Sequence, residues 1–263
     1  MPETFLASEL IYAASLCRLK YLYGIPDVLS SLTEEVKAEA IQEAAQSLMS
    51  KNYISMDMDG NFTVSKILAR ILYHCSNCDE MLSTSVRLED GTDEVRAIWK
   101  VKDSYLQGIV NDGSYQFMYL TAQEVRNILD LYSEYEYDVA AENEMISIPY
   151  AVLRKAKRFQ KSGNVDAVVE QLGACGVSQA FAEDIALSLF EKNAFYMFSL
   201  IFPEDDDARC KSCSFAKGRQ GYISMQQEVI DFKTNIVFSY IDPCALQDTI
   251  RGLFAEFTEK SEV

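Results

Sequence analysis

At 263 residues the chain is long enough to bury one large core or two modest ones. Its 49% hydrophobic and 24% charged residues are the balance of a globular protein, not of a disordered one. Acidic residues (40) outnumber basic ones (24) for a net charge of −16, which argues against a nucleic-acid backbone or an anionic membrane surface as partner and favours a protein. No run of about 18 uncharged apolar residues occurs, so no membrane span is expected. The apolar stretch from Phe5 to Tyr23 is broken by Glu9, Arg18 and Lys20 and has no basic leader, so no signal peptide is expected either. Seven cysteines, an odd number, read as reduced thiols of a cytoplasmic protein.

Along the chain, Leu6, Leu10, Ala13 and Leu16–Cys17 fall on one helical stripe, predicting a helix from about Glu3 to Tyr23 that Gly24 and Pro26 stop. Thr33 before Glu34 and Glu35 reads as an N-cap with an acidic first turn, launching a helix to about Lys51. Tyr53–Met56 and Asn61–Val64 flank Asp57-Met-Asp-Gly60, a hairpin signal. Ser65 caps a further helix, roughly Lys66 to His74. Helices with a short hairpin in this arrangement are winged-helix-like.

From Cys78 the period changes to two. Leu82, Thr84, Val86 and Leu88 alternate with their neighbours, and Val95, Ala97, Trp99 and Val101 resume the pattern after a Glu89–Asp93 turn. Tyr105–Val110 and Tyr115–Leu120 follow across Asn111-Asp-Gly-Ser114, completing an antiparallel meander. Thr121 then caps a helix carrying Val125, Ile128, Leu129 and Tyr132, which ends in Tyr135-Glu-Tyr-Asp138.

The second half repeats the order. Helices are predicted over Tyr150–Phe159, Val165–Leu172 and from Ser178 to about Lys192; strands over Phe195–Phe202, Cys210–Lys217, Tyr222–Gln226 and Asn235–Ile241. Asp242-Pro243 opens a last helix with Leu246, Ile250, Leu253 and Phe257 on one face. Phe117-Met-Tyr-Leu-Thr121 before a helix matches Phe238-Ser-Tyr-Ile-Asp242 before a helix, and Val64-Ser65 matches Val177-Ser178. The fold class expected is α+β, with two pseudo-symmetric helix/antiparallel-sheet/helix halves, 1–140 and 141–263, in one compact unit.

Catalytic chemistry finds little footing. His74 is the one histidine, with no nucleophile-elbow sequence near it, and reads as a partly exposed structural residue. Cys75-Ser-Asn-Cys78 and Cys210-Lys-Ser-Cys213 lie too far apart in sequence for a zinc ribbon, and in a strand the second pair points to opposite faces. Ordinary thiols are the simpler reading, a thiol or zinc protein the rival one. Asp57-x-Asp59-Gly60-Asn61 echoes a calcium loop, but Phe62 and Leu68 stand where glycine and the bidentate acid belong. No dinucleotide or phosphate-binding glycine motif is present. The expectation is no enzyme, no cofactor and no metal.

Glu34, Glu35, Glu39 and Glu43 on the helix that would enter a DNA groove are the wrong charge for phosphates. An acidic winged-helix regulator or interaction module therefore stands as the alternative function. The aromatic residues Trp99, Tyr105, Tyr115, Phe117 and Tyr119 lie on or near one sheet. Core is the simplest role for most of them. If one sheet face receives a partner, these five are its candidate contacts, Trp99 foremost.

Glu9-Leu10 in the opening helix, Ile25-Pro26-Asp-Val-Leu29, Leu48-Met-Ser-Lys-Asn-Tyr53 at a helix end and the Asp59-Gly60 turn together resemble the EspG proteins, cytosolic chaperones of type VII (ESX) secretion. The resemblance spans almost the whole chain as architecture; Asn52 stands where a helix-ending glycine is more typical. It implies a cytoplasmic, non-enzymatic chaperone or adaptor that keeps small helical secretion substrates of the WXG kind soluble. It carries over no catalytic or binding residue.

Overall fold

The computed structural model describes residues 3–88, 91–111, 113–132, 144–160, 164–189, 194–203, 208–230 and 233–258. Ten strands form one antiparallel sheet. In chain order they are β1 (Glu3–Leu6), β4 (Glu80–Arg87), β5 (Asp93–Val101), β6 (Ser104–Asn111), β7 (Ser114–Leu120), β8 (Met145–Pro149), β9 (Phe195–Pro203), β10 (Ala208–Lys217), β11 (Tyr222–Ile230) and β12 (Lys233–Ile241). The short hairpin β2 (Ile54–Met56) and β3 (Phe62–Val64) stands apart as a second, two-stranded sheet. Across the large sheet the order is β1-β7-β6-β5-β4-β9-β10-β11-β12-β8. The two meanders therefore meet at one seam, where β4 pairs β9 with Ser83 opposite Ser199.

Eight helices pack on this sheet among the described residues: α1 (Ala7–Leu16), α2 (Glu34–Ser50), α3 (Lys66–Ser76), α4 (Ala122–Asp130), α5 (Tyr150–Gln160), α6 (Val165–Gly173), α7 (Gln179–Leu189) and α8 (Pro243–Thr258). Three apolar clusters divide them. On one face, α1–α3 cover Met81, Ala97, Trp99, Leu106, Tyr115 and Phe117. On the same face but at the other end, α5–α7 cover Ile148, Ile223 and Phe238. On the opposite face, α4 and α8 cover the middle, over Leu82, Ile98, Phe198, Leu200 and Phe215.

Local chemistry explains the helix starts. Ser65 Oγ accepts from Leu68 N–H at 3.3 Å, Ser178 Oγ from Phe181 N–H at 3.2 Å, and Thr121 forms a reciprocal capping box with Glu124. Thr33 sits at the N-cap of α2 without a side-chain bond. Three expectations need correction. The opening helix, expected to run to Tyr23, is α1 and ends at Leu16, with Arg18 in a left-handed conformation (φ 57°) just beyond it. The other two lie at the sheet edges. Glu3–Leu6, expected as helix, is strand β1, because Phe5 pairs with Tyr115 and is driven into the core. Met145–Pro149, unassigned in the sequence, is the opposite edge strand β8, paired to β12. The expected end of the helix capped by Thr121, at Tyr135–Asp138, lies outside the described residues, as do Glu89, Asp90, Asp112 and Lys192.

A buried ion pair fastens α8 across the seam. Lys100 and Glu80 are cross-strand partners, with Nζ 3.0 Å from the carboxylate. The same ammonium donates to the Phe257 carbonyl at 2.9 Å, in the last turn of α8. That carbonyl is among those a helix end leaves without an internal partner, and a cation there also suits the helix dipole. Lys100 is 3% exposed, so removing it strands Glu80 in a low-dielectric interior. Lys100→Ala is expected to lower unfolding stability by about 3 kcal/mol, and adding Glu80→Leu should restore part of it. Urea denaturation of the two variants measures both effects.

Candidate functional site

The five sheet aromatics do not share one surface. Trp99 is fully buried, its indole N–H donating to the Tyr23 carbonyl at 2.8 Å. Gly108 leaves room for it: a Cβ there would meet the indole at 2.9 Å. Phe117 and Tyr115 are buried against it on the same face. Tyr105 points the other way, into the cluster under α4 and α8, edge-on to Phe257. Tyr119 alone is exposed, between the Arg70 guanidinium and the His74 ring. Trp99, Tyr105, Tyr115 and Phe117 are thus core residues in this structure, and a partner meeting the folded chain would touch Tyr119 of the set.

His74 is more enclosed than the sequence suggests, at 4% exposure. Its Nδ1 lies 3.0 Å from the Arg70 carbonyl and so carries the proton; Nε2 accepts from the Ser104 hydroxyl at 3.1 Å. Burial chiefly, with the Arg70 charge adding to it, holds its pKa below the ordinary imidazole value, against the raising effect of the Arg70 carbonyl bond. The thiols are placed for inertness. Burial pushes Cys75 well up and Cys78 up to about 12, so neither offers a thiolate near neutrality. Cys210 is exposed while Cys213 is half-buried among the residues under α8. The Asp57 carboxylate is occupied by its own turn, accepting from Asp59 N–H at 2.9 Å and Asn61 N–H at 2.8 Å. Those bonds hold its pKa below the usual carboxylate range. Among the described residues no cluster of three or more His, Cys, Asp or Glu side chains could hold a metal, and no helix is long and apolar enough to cross a membrane.

The site that does emerge follows from the way helices cover the sheet. On the face carrying α1–α3 at one end and α5–α7 at the other, the strands around the seam lie open between them. Strand alternation puts Met81, Ser83 and Ser85 of β4 on this face, with Met197, Ser199 and Ile201 of β9 and Cys210, Ser212 and Ser214 of β10. Their cross-strand registers align as rungs. One runs Ser83–Ser199–Ser212; the next runs Val95–Ser85–Met197–Ser214. Met197 is 39% and Val95 36% exposed, whereas Phe198 and Leu200, which point to the other face, are fully buried. At the Pro203 end the strip opens into a depression lined by Lys20, Tyr21, Tyr23, Asn77 and Cys78.

The strip therefore combines apolar side chains with hydroxyls at the centre of a rigid sheet. Ser214 Oγ is spent on the Met225 carbonyl at 2.7 Å. Beyond strand alternation, no sequence signal marks this place. Ser83, Ser85, Ser199 and Ser212 look like the solvent side of half-buried strands, and only the strand order brings them together.

No known protein family matches the sequence, and no curated protein matches it. The fold, however, has a solved counterpart: an α+β architecture with a large antiparallel sheet found in a secretion chaperone. The chain is similar to Mycobacterium tuberculosis EspG5, the type VII secretion system chaperone, in the structure of its complex with the PE25-PPE41 dimer. The TM-score is 0.53 at 14% identity, over 97% of this chain and 96% of that one. At that identity the likeness establishes the fold.

Two outcomes follow from the placements above. Trp99→Ala should cost about 3–5 kcal/mol of stability, read as a lowered denaturant midpoint, instead of acting as a silent surface change. His74 has a folded-state pKa below its unfolded value, so its contribution is fully present above about pH 6.5 and is lost as pH falls through the folded pKa. Between pH 7.5 and 5.5 the wild type should lose more stability than His74→Gln, in parallel denaturation series.

Proposed function

We propose that this protein is a non-enzymatic cytoplasmic chaperone or adaptor that holds helical secretion substrates of a type VII-like system, small WXG-type proteins among them, on the open strip of β4, β9 and β10. The observation that carries the reading is that strip: α1–α3 and α5–α7 cover the two ends of one sheet face and leave the strands at the seam between them uncovered. An apolar and hydroxyl-bearing sheet surface flanked by two groups of helices suits a partner's helices. EspG5, of the same fold, is a type VII secretion chaperone that has been solved with a bound PE25-PPE41 dimer. The resemblance read from Glu9-Leu10, Ile25–Leu29 and Leu48–Tyr53 points the same way.

The reading includes a duplicated origin for the fold. In its favour, the strand order runs β1-β7-β6-β5-β4 and then β9-β10-β11-β12-β8, with an edge strand, a four-strand meander and matching helices in each half. Nucleic acid is disfavoured as partner by the charge of −16 and by the exposed Glu34, Glu35, Glu39 and Glu43 of α2.

The test is capture from the native cytosol with the tagged full chain. Small helical secreted proteins should be recovered by the wild type and lost with Met197→Glu, whose melting temperature should stay within a few degrees because the side chain is surface-lying. Recovery of RNA polymerase and regulators, or equal recovery by Met197→Glu, contradicts the reading.

A further inference from the structure

The large sheet is open, with β1 and β8 at its two edges, and the edges are finished differently. At β1 the backbone groups that face away from β7 are those of Thr4 and Leu6. The Leu6 N–H donates to Glu9 Oε2 at 2.7 Å, and Lys51 Nζ lies 3.5 Å from the Thr4 carbonyl oxygen. Glu9 is fully buried and holds the same ammonium at 2.7 Å. An ion pair between α1 and the end of α2 thus covers this edge and leaves no row of free groups for another strand.

At β8 no such cover exists among the described residues. The Tyr240 N–H donates to the Glu144 carbonyl at 3.2 Å, so Glu144, Ile146 and Ile148 turn their backbone groups to β12. Alternation turns those of Met145 and Ser147 outward, and Pro149, next in that row, has no N–H to present. No described residue bonds the outward N–H and C=O groups of Met145 and Ser147. The Glu144 carboxylate is turned onto Ser178, accepting from its N–H and its hydroxyl, each at 2.7 Å. From Met145 to Leu153 the sequence carries no charge, and Met145, Ser147, Pro149 and Tyr150 are exposed.

Unpaired strand groups call for an extended chain, and two arguments select β8 of a second copy. The first is closure. Antiparallel about a twofold axis at Ile146, Met145 of each copy faces Ser147 of the other, and the four bonds of those two pairs use every free group on both strands. The second is cost. A loose peptide gives up backbone freedom to pair with so short an edge, whereas β8 is already held by β12 in both copies. Copies that each carry a charge of −16 also repel least where the exposed residues are uncharged. We propose that two copies of this chain pair antiparallel through their β8 edges, about Ile146, joining their large sheets into one. The interface is small, so association is reversible and depends on concentration. β8 stands four strands beyond β9, about 20 Å away, and the pairing leaves the strip of each copy uncovered.

Sedimentation velocity of the full chain over a concentration series should show the mass rising from one chain to two. In the associated state, amide hydrogen exchange at Met145 and Ser147 should slow by about tenfold, while Ile146 and Ile148, bonded to β12, stay protected at every concentration. Ser147→Pro removes one outward N–H and no bond to β12. It should stay single throughout, with a melting temperature in dilute solution within a few degrees of the wild type. Ser147→Lys puts a cation on the edge without altering the backbone and should weaken association too; it carries the same test if the proline variant melts early. A wild-type chain that stays single at every concentration overturns the proposal. So does a dimer in which Met145 and Ser147 exchange as fast as in the single chain, or one that Ser147→Lys forms equally well.

Discussion

The β4–β9 pairing is the contact on which the rest of the molecule depends. Among the described residues it is the one place where the two meanders share a ladder, from Met81 opposite Ile201 to Arg87 opposite Phe195. Its two faces are built differently. Leu82, Phe198 and Leu200 point to one side and are fully buried beneath α8. At about 25 cal/mol per Å² of apolar area, that side supplies the adhesion. The other side carries serines and a half-exposed methionine, and contributes little to burial. A seam held from one face leaves the other free.

What the free face lacks in burial is compensated from behind. α8 returns from the last strand across β10, β9 and β4, and its final turn is held by Lys100 on β5. The buried Lys100–Glu80 pair is costly to form and costlier to break, which makes it a specificity device for where the helix stops. Asp184 does a similar service at the far end: from α7 it accepts from the Arg219 and Gln220 amides at 2.8 and 3.1 Å and from Tyr240 Oη at 3.0 Å. The α5–α7 wall of the strip is thereby fixed to the β10–β11 turn. Gly218 is needed there, since a Cβ would lie 2.6 Å from the Asp184 carboxylate. A strip with fixed walls and floor loses little conformational freedom on binding, which is what preorganisation requires.

Most elements were legible in the sequence because their signals are local. Ser65, Thr121 and Ser178 cap helices through short-range bonds, and the alternation of Leu82–Leu88 or Val95–Val101 reports a half-buried strand whatever it pairs with. β1 and β8 were not legible, because an edge strand of four or five residues has too few alternations to outweigh a neighbouring helical pattern; Phe5 is committed by Tyr115, more than a hundred residues away. Trp99 illustrates the converse. Its size marked it as important, but burial or exposure was decided by Gly108 and the Tyr23 carbonyl, which only the register brings near. The strip was the least legible feature of all: Ser83, Ser199 and Ser212 carry no motif, and their meeting is a property of strand order.

The central claim is that a partner lies on the open face of the seam. The most direct measurement is methionine oxidation footprinting, by peptide mass spectrometry, of the free chain and of the complex purified with its captured partner. Met197 should be oxidised in the free chain and protected in the complex, with Met118 and Met145, exposed elsewhere on the sheet, oxidised equally in both. Equal oxidation of Met197 in the two states would contradict the account.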